Sequence, residues 1–201
     1  MPRTQGAVSK EHQRLVVWNV PNLLTFFRIL IIPFVVGFLF FPSPLASFLA
    51  AVFFVAASVT DILDGYVARQ LKSETAIGQL LDPLADKLLI NSAMIMLVSL
   101  GRIPAWMVVL IVAREVAVTG LRGIASAGGL VIAASSFGKT KTVFQSFAIG
   151  ALILHYPYWI FNFHLIGMIL LWIALVFTLW SGVDYFNKFW REHLKNLTNV
   201  R

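Results

Sequence analysis

Cysteine is absent from the chain, which excludes disulfides while leaving the redox compartment open. Charge is scarce: 12% of the 201 residues are Asp, Glu, Lys or Arg, about half the share of an ordinary soluble domain. Acids are the rarer sign, 9 against 16 bases. Three stretches, Leu45–Thr60, Leu88–Leu100 and Thr142–Val183, carry no formal charge at all. No internal repeat is visible, which argues against the inverted-repeat architecture common among transporters. The opening Met1–Val17 is polar, so no cleavable signal is expected and the first apolar run is taken as the topogenic element.

What the chain has in abundance is apolar surface. It is 59% hydrophobic, with a mean hydropathy of +0.82. The expectation is an all-α integral membrane protein, a six-transmembrane-helix bundle with an N-terminal interfacial segment. That segment covers 1–20, where Arg3, Lys10 and Arg14 precede Leu15, Val16, Val17 and Trp18. A membrane domain follows over 21–188, and 189–201 is read as a cytoplasmic basic tail. Each span should approach the roughly 20 residues that cross a bilayer. They are placed near 22–41, 45–69, 79–100 and 104–127, with Pro42-Ser43-Pro44 as the first turn. The uncharged run from Thr142 is too long for one crossing, so His155-Tyr156-Pro157-Tyr158 divides it into a fifth and a sixth, the last helix ending at Asp184-Tyr185.

With six spans, both termini and the loops near 70–79 and 128–141 share one side. Of the 16 Lys and Arg, only Arg102 lies in a loop on the other. The positive-inside rule makes the crowded side cytoplasmic. The net charge of +7 is therefore read as cytoplasmic-side bases facing anionic headgroups, not as a nucleic-acid surface.

The few acids are concentrated. Asp61 and Asp64 are three positions apart and Asp82 and Asp86 four, so on two helices each pair shares a face. An Asp at the centre of an inserted helix costs roughly 2.5–3.5 kcal/mol, so four cost on the order of 10 kcal/mol unless cations compensate. Carboxylate oxygens without Cys or His favour Mg²⁺ or Mn²⁺. Two such ions ~3.5–4 Å apart can clamp a diphosphate. A purely structural acid–base network is the competing reading, but Arg69 and Lys87 alone cannot balance four acids.

Other polar residues fall in groups. Asn22, Thr25 and Arg28 recur every three residues after Pro21, a helix-starting proline. They can meet a nucleotide edge or a diphosphate; a helix cap and an interhelical hydrogen bond are the alternative. Gly65, Ala68 and Gly78 lack bulk, which suits either close helix packing or a flat ligand. Arg69 can contact phosphate bidentately or snorkel to the surface. Arg114-Glu115, Arg122 and Gly138-Lys139-Thr140-Lys141-Thr142 form a basic group whose cations need an anionic partner inside a bundle. For Arg114 that partner is either a ligand or an acid, Glu115 or a metal-site Asp. Lys139 and Lys141 are either ligand-binding or ordinary positive-inside loop residues. His155, His164 and the aromatics Tyr156, Tyr158 and Trp159 fit an interfacial belt at the outer turn.

Written as a pattern, D-x2-D-G-x2-A-R-x8-G-x3-D-x3-D, the stretch Asp61–Asp86 has all eight fixed positions of the CDP-alcohol phosphotransferase signature, a family it resembles: Asp61, Asp64, Gly65, Ala68, Arg69, Gly78, Asp82 and Asp86. The entry Pro21-Asn22 to Arg28 is similar to a second family feature, P-N-x-L-T-x2-R. Asp82–Lys87, Arg114-Glu115, Gly138–Thr142 and Ser181–Tyr185 look most like the branch that makes phosphatidylglycerophosphate.

The resemblance implies transfer of a phosphatidyl group from CDP-diacylglycerol to sn-glycerol 3-phosphate with release of CMP. It assigns Asp61, Asp64, Asp82 and Asp86 to two metal ions and makes Asp86 the catalytic base. It gives CDP-diacylglycerol to Asn22, Thr25, Gly65, Ala68, Arg69, Thr75 and Gly78, and the acceptor phosphate to Arg114, Arg122, Lys139 and Lys141. It also implies a homodimer among membrane lipids, multi-pass in a bacterial inner membrane. Inositol phosphate, serine and phosphatidylglycerol are alternative acceptors. A divalent-cation transporter is the competing class, disfavoured because the acids occupy one stretch with no later counterpart.

Overall fold

The computed structural model describes residues 20–71, 76–128, 136–158 and 160–199; within them the side chains of 20–22, 61–71, 76–80, 82, 136–139, 158 and 193–199 fall outside the description. These residues form six helices and one minimal hairpin. The helices are α1 (Val20–Leu39), α2 (Pro44–Leu71), α3 (Ala76–Ser99), α4 (Ala105–Ala127), α5 (Ser136–Leu154) and α6 (Phe163–Asn199). Between α5 and α6, β1 (Pro157–Tyr158) pairs antiparallel with β2 (Phe161–Asn162), Tyr158 opposite Phe161. The all-α expectation holds, with six helices at the anticipated places. Phe163–Glu192 of α6, 30 residues, is long and apolar enough to cross a bilayer, whereas Leu23–Leu39, Pro44–Thr60 and Thr140–Leu154 are apolar but shorter.

Two element boundaries differ from expectation. Helix α5 begins at Ser136, so Lys139 and Lys141 lie on a helix instead of in a loop. Lysine is a good helix former, and the ion pair described below offsets the unfavourable position of a cation in a helix's first turns. Helix α6 does not end at Asp184-Tyr185 but continues to Asn199. No Gly or Pro interrupts Asp184–Asn199, and Lys188 Nζ meets Asp184 Oδ2 at 2.7 Å one turn away.

The chain divides into two compact units, Met1–Met96 and Leu97–Arg201. In the first, α1 packs along α2. The inward stripe of α1 is Thr25, Arg28, Ile31, Val35 and Leu39, spaced three or four apart. Its counterpart on α2, Ala46, Ala50, Ala51, Phe54 and Ala57, is rich in small residues. Phe53 stacks on Phe34 and Phe38, with ring centroids 5.7 and 5.5 Å away. The turn at Pro42-Ser43-Pro44 is built as its sequence suggests: Ser43 Oγ accepts from the Ala46 amide at 3.2 Å, and Pro44 takes the first helical position.

In the second unit α6 packs against both α4 and α5. At Gly167 an added Cβ would lie 3.0 Å from the Leu152 amide nitrogen and 3.1 Å from the Ala148 carbonyl oxygen, so glycine sets the approach of α5 and α6. Trp106 of α4 tilts against Trp172 of α6 at 5.5 Å. Helix α3 ends on Gly101, whose φ of +67° allows its own amide to reach Val98 O and the Arg102 amide to reach Leu97 O, both at 2.9 Å. Arg102 is buried, and its Nη1 donates to the last carbonyls of α5, Leu152 at 3.3 Å and Ile153 at 2.7 Å. The base that the charge pattern sets apart from the others is thus a helix cap.

Candidate active site

The acidic group lies in the first unit. Positions 61 and 64 fall in the second half of α2, and 82 and 86 in the first half of α3. At about 100° per residue, each pair of positions shares one face of its helix, as the spacing predicts. Asp86 is half-buried. The side chains of Asp61, Asp64, Gly65, Ala68, Arg69, Gly78 and Asp82 lie outside the described residues, as does Thr75 altogether. Among the described residues no group of three or more potential metal ligands occurs.

Helix α1 contributes the polar stripe read from its sequence. Thr25 and Arg28 have no exposed surface, so they sit on the packed face of the helix. Asn22 occupies the same helix three residues earlier, its side chain outside the described residues. A fully buried guanidinium is costly unless its charge is met.

The basic group lies in the second unit, where tertiary contacts decide more than spacing does. Arg114 of α4 donates from Nη2 to Ser181 Oγ of α6 at 2.8 Å. Ser181 Oγ in turn donates to the Thr178 carbonyl at 3.0 Å, so the hydroxyl is held and its acceptor face is aimed at Arg114. Gly182 leaves the necessary room, because a Cβ there would stand 3.0 Å from Arg114 Cγ. Glu115 pairs not with its neighbour Arg114 but with Lys141 of α5: Lys141 Nζ lies 2.6 Å from Glu115 Oε1, and the two side chains are 7% and 16% exposed. Arg122, exposed on α4, lies over the Tyr185 ring with Cζ 5.9 Å from the centroid. Lys139 is on α5, its side chain outside the described residues.

Three expected bases, Arg114, Arg122 and Lys141, therefore each receive a defined neighbour in one unit. Two of those neighbours carry no charge. Arg114 Nε and Tyr185 Oη are buried without a hydrogen-bond partner among the described residues, an arrangement that buried donors rarely tolerate unless a ligand or water completes it. The sequence reading took Tyr185 as the end of a helix and offered Glu115 as one of several possible partners of Arg114. The available signal was the helical spacing of Ser181 and Tyr185, four residues apart on α6.

Comparison with known proteins follows the same lines. A family profile described as CDP-alcohol phosphatidyltransferase matches residues 18–180. A Bacillus subtilis protein named CDP-diacylglycerol–glycerol-3-phosphate 3-phosphatidyltransferase is 43% identical over 192 residues, covering 89% of this chain and 98% of the relative. Proteins of the same name from Rickettsia bellii and Haemophilus influenzae are 41% and 36% identical, each over 84% of this chain and covering 93% and 91% of the relative.

Proposed function

The chain belongs to the CDP-alcohol phosphatidyltransferase family, and from that premise we propose that it moves the phosphatidyl group of CDP-diacylglycerol to sn-glycerol 3-phosphate, giving phosphatidylglycerophosphate and CMP. The observation that carries this reading is the complete eight-position signature laid over consecutive helices, two Asp in α2 and two in α3. The relatives' shared name supports the choice of acceptor.

The donor set of Asp61, Asp64, Asp82 and Asp86, oxygen only, fits two Mg²⁺ or Mn²⁺ ions. Asp61, Asp64, Asp82 and Asp86 would hold the ions between them. When bound, the ions supply neutralisation of the charge on the diphosphate. The remaining work belongs to the chain's own residues. Asn22, Thr25, Gly65, Ala68, Arg69, Thr75 and Gly78 hold the cytidine diphosphate portion. Arg114, Arg122, Lys139 and Lys141 hold the acceptor's phosphate, with Arg114 Nε and Tyr185 Oη as waiting donors. Asp86 takes the proton from the acceptor hydroxyl. The hydroxyl oxygen bonds to the β-phosphorus from the side opposite CMP, and CMP leaves with the bridging oxygen and its electron pair. Catalysis here is mainly orientation and charge compensation.

The proposed setting is a bacterial inner membrane, crossed six times by each protomer of a homodimer, whose 21–188 domain lies between the interfacial 1–20 segment and the cytoplasmic 189–201 segment. The site opens toward the cytoplasm. The long apolar α6 supports this setting. So do large exposed apolar side chains on every helix, among them Leu30, Val55, Ile95, Val109, Phe147 and Trp180.

The test supplies purified protein with CDP-diacylglycerol and a panel of glycerol 3-phosphate, inositol phosphate, serine and phosphatidylglycerol, then measures CMP and identifies the lipid. Phosphatidylglycerophosphate is the expected product. A different lipid reassigns the acceptor, and divalent-cation flux into sealed vesicles without CMP release overturns the enzyme.

A further inference from the structure

We propose that Glu115 is the positioning residue of the acceptor's phosphate site, acting through Lys141; the inference rests on the phosphatidyl-transfer reading above and assigns a role that reading leaves open. Three cations, Arg114, Arg122 and Lys141, are held in the second unit, and among the described residues the acid Glu115 lies within ion-pair distance of Lys141. Glu115 follows Arg114 on α4, but adjacent positions of a helix do not face each other. Arg114 instead rests on a neutral hydroxyl, Ser181, and Arg122 on a neutral ring, Tyr185. The carboxylate goes to the lysine.

The chemistry of the two side chains accounts for that choice. A guanidinium is planar and rigid, so one hydrogen bond or one ring face fixes its orientation. An ammonium is a point charge on a flexible four-carbon stem and needs an anchor to hold one place. Glu115 supplies the anchor at 2.6 Å, with both side chains almost wholly out of solvent.

Stability gives little reason for the pair. A buried ion pair is commonly no better than a well-packed apolar pair of the same volume, since desolvation cancels much of the attraction. What the pair provides is a fixed charge: Lys141 is ordered before the acceptor arrives, and the acceptor's phosphate then loses less freedom-derived affinity on binding. Among the described residues neither Arg114 nor Arg122 has an acid within ion-pair distance, so the group keeps a net positive charge for a phosphate to meet.

The test is steady-state kinetics of the full-length protein with CDP-diacylglycerol and glycerol 3-phosphate varied separately. Glu115→Gln is expected to raise the glycerol 3-phosphate KM about tenfold, the scale of freezing one flexible side chain. The CDP-diacylglycerol KM should stay unchanged, and Glu115→Asp should recover most of the loss. In a Lys141→Met background, Glu115→Gln should add nothing to the acceptor KM, because its target is gone.

An unchanged acceptor KM in Glu115→Gln overturns the proposal, as does a rise in both KM values, which marks a general structural defect. Independent, additive effects of the two substitutions overturn it too. Should Glu115→Gln fail to fold, Lys141→Met and the double variant, which buries no unpaired charge at this pair, decide the matter: equal acceptor KM values support the proposal and unequal ones end it. The wild-type assay separates the two levels. Transfer to a different phosphorylated alcohol overturns the glycerol 3-phosphate reading while Glu115 is tested against that acceptor. No phosphatidyl transfer to any phosphorylated alcohol overturns both.

Discussion

The two units gather charge in opposite ways. The first gathers acids by spacing: Asp61 with Asp64, Asp82 with Asp86, each pair one helical turn apart along its own segment. The second gathers bases by tertiary contact, Arg114 with Ser181 across 67 residues and Lys141 with Glu115 across 26. A pattern within one helix is set by the backbone and survives any rearrangement that keeps the helix. A pair formed between helices depends on the packing that brings them together, and Gly167 and Gly182 show how little room that packing leaves. The acidic unit should therefore fail all at once when a single donor is lost, whereas the basic unit should weaken in steps.

The sharpest break in the contrast is Asp86→Asn. Removing the proposed base and one metal donor should lower kcat by about 10³-fold or more while the thermal transition is retained; near wild-type turnover would remove Asp86 from the chemistry. EDTA should abolish activity and added Mg²⁺ or Mn²⁺ should restore it, measured as CMP release. On the packing side, Gly167→Val places a branched side chain against the Leu152 backbone and should destabilise by about 1–3 kcal/mol, seen as a lower Tm in detergent. An unchanged Tm would mean that α5 and α6 can separate freely.

Smaller steps follow in the basic unit. Ser181→Ala deprives Arg114 of its oxygen partner and should raise the glycerol 3-phosphate KM several-fold, about 1 kcal/mol of hydrogen-bond energy. A loss confined to kcat would place Arg114 elsewhere in the reaction.

The smallest effect concerns the outer turn. His155 Nδ1 lies 3.2 Å from His164 Nδ1. Burial lowers the His155 pKa, and the neighbouring Arg102 and His164 lower it further. The folded state therefore disfavours the protonated ring. Its contribution to stability is complete above the ordinary histidine range near 6.5 and is lost as pH falls from there through the lowered folded value. Tm should accordingly drop modestly on acidification from pH 7.5. His155→Asn, which tolerates the φ of 56° at this position, should flatten that slope; a slope unaltered by the substitution would assign it to other groups.

Much of the fold was legible because hydrophobic runs and punctuation are local signals. The Pro42-Ser43-Pro44 turn, the break at His155–Tyr158 and the start of α4 after Pro104 all stand where their residues dictate. The start of α5 was not, because Lys139 and Lys141 look like a cytoplasmic loop until Glu115 is known to face one of them. Arg102 likewise reads as an exception to the charge bias until the carbonyls of Leu152 and Ile153 are seen to use it. The same holds for the site. The helix placement of the four Asp followed from their spacing, while Ser181, Gly182 and Tyr185 acquire meaning only as neighbours of Arg114 and Arg122. Long-range pairing leaves no periodic trace in a single sequence.

The clasp formed by Arg102 has a mechanical corollary. One side chain grips the final turn of α5 and lies over Tyr156 at the mouth of the hairpin, while its own backbone amide closes the end of α3. Its contacts thus join the end of α3 to the end of α5. Rods riveted at one end swing most at the other, and Lys141 lies near the start of α5, away from the clasp. A slackened rivet should therefore be felt first as added motion there.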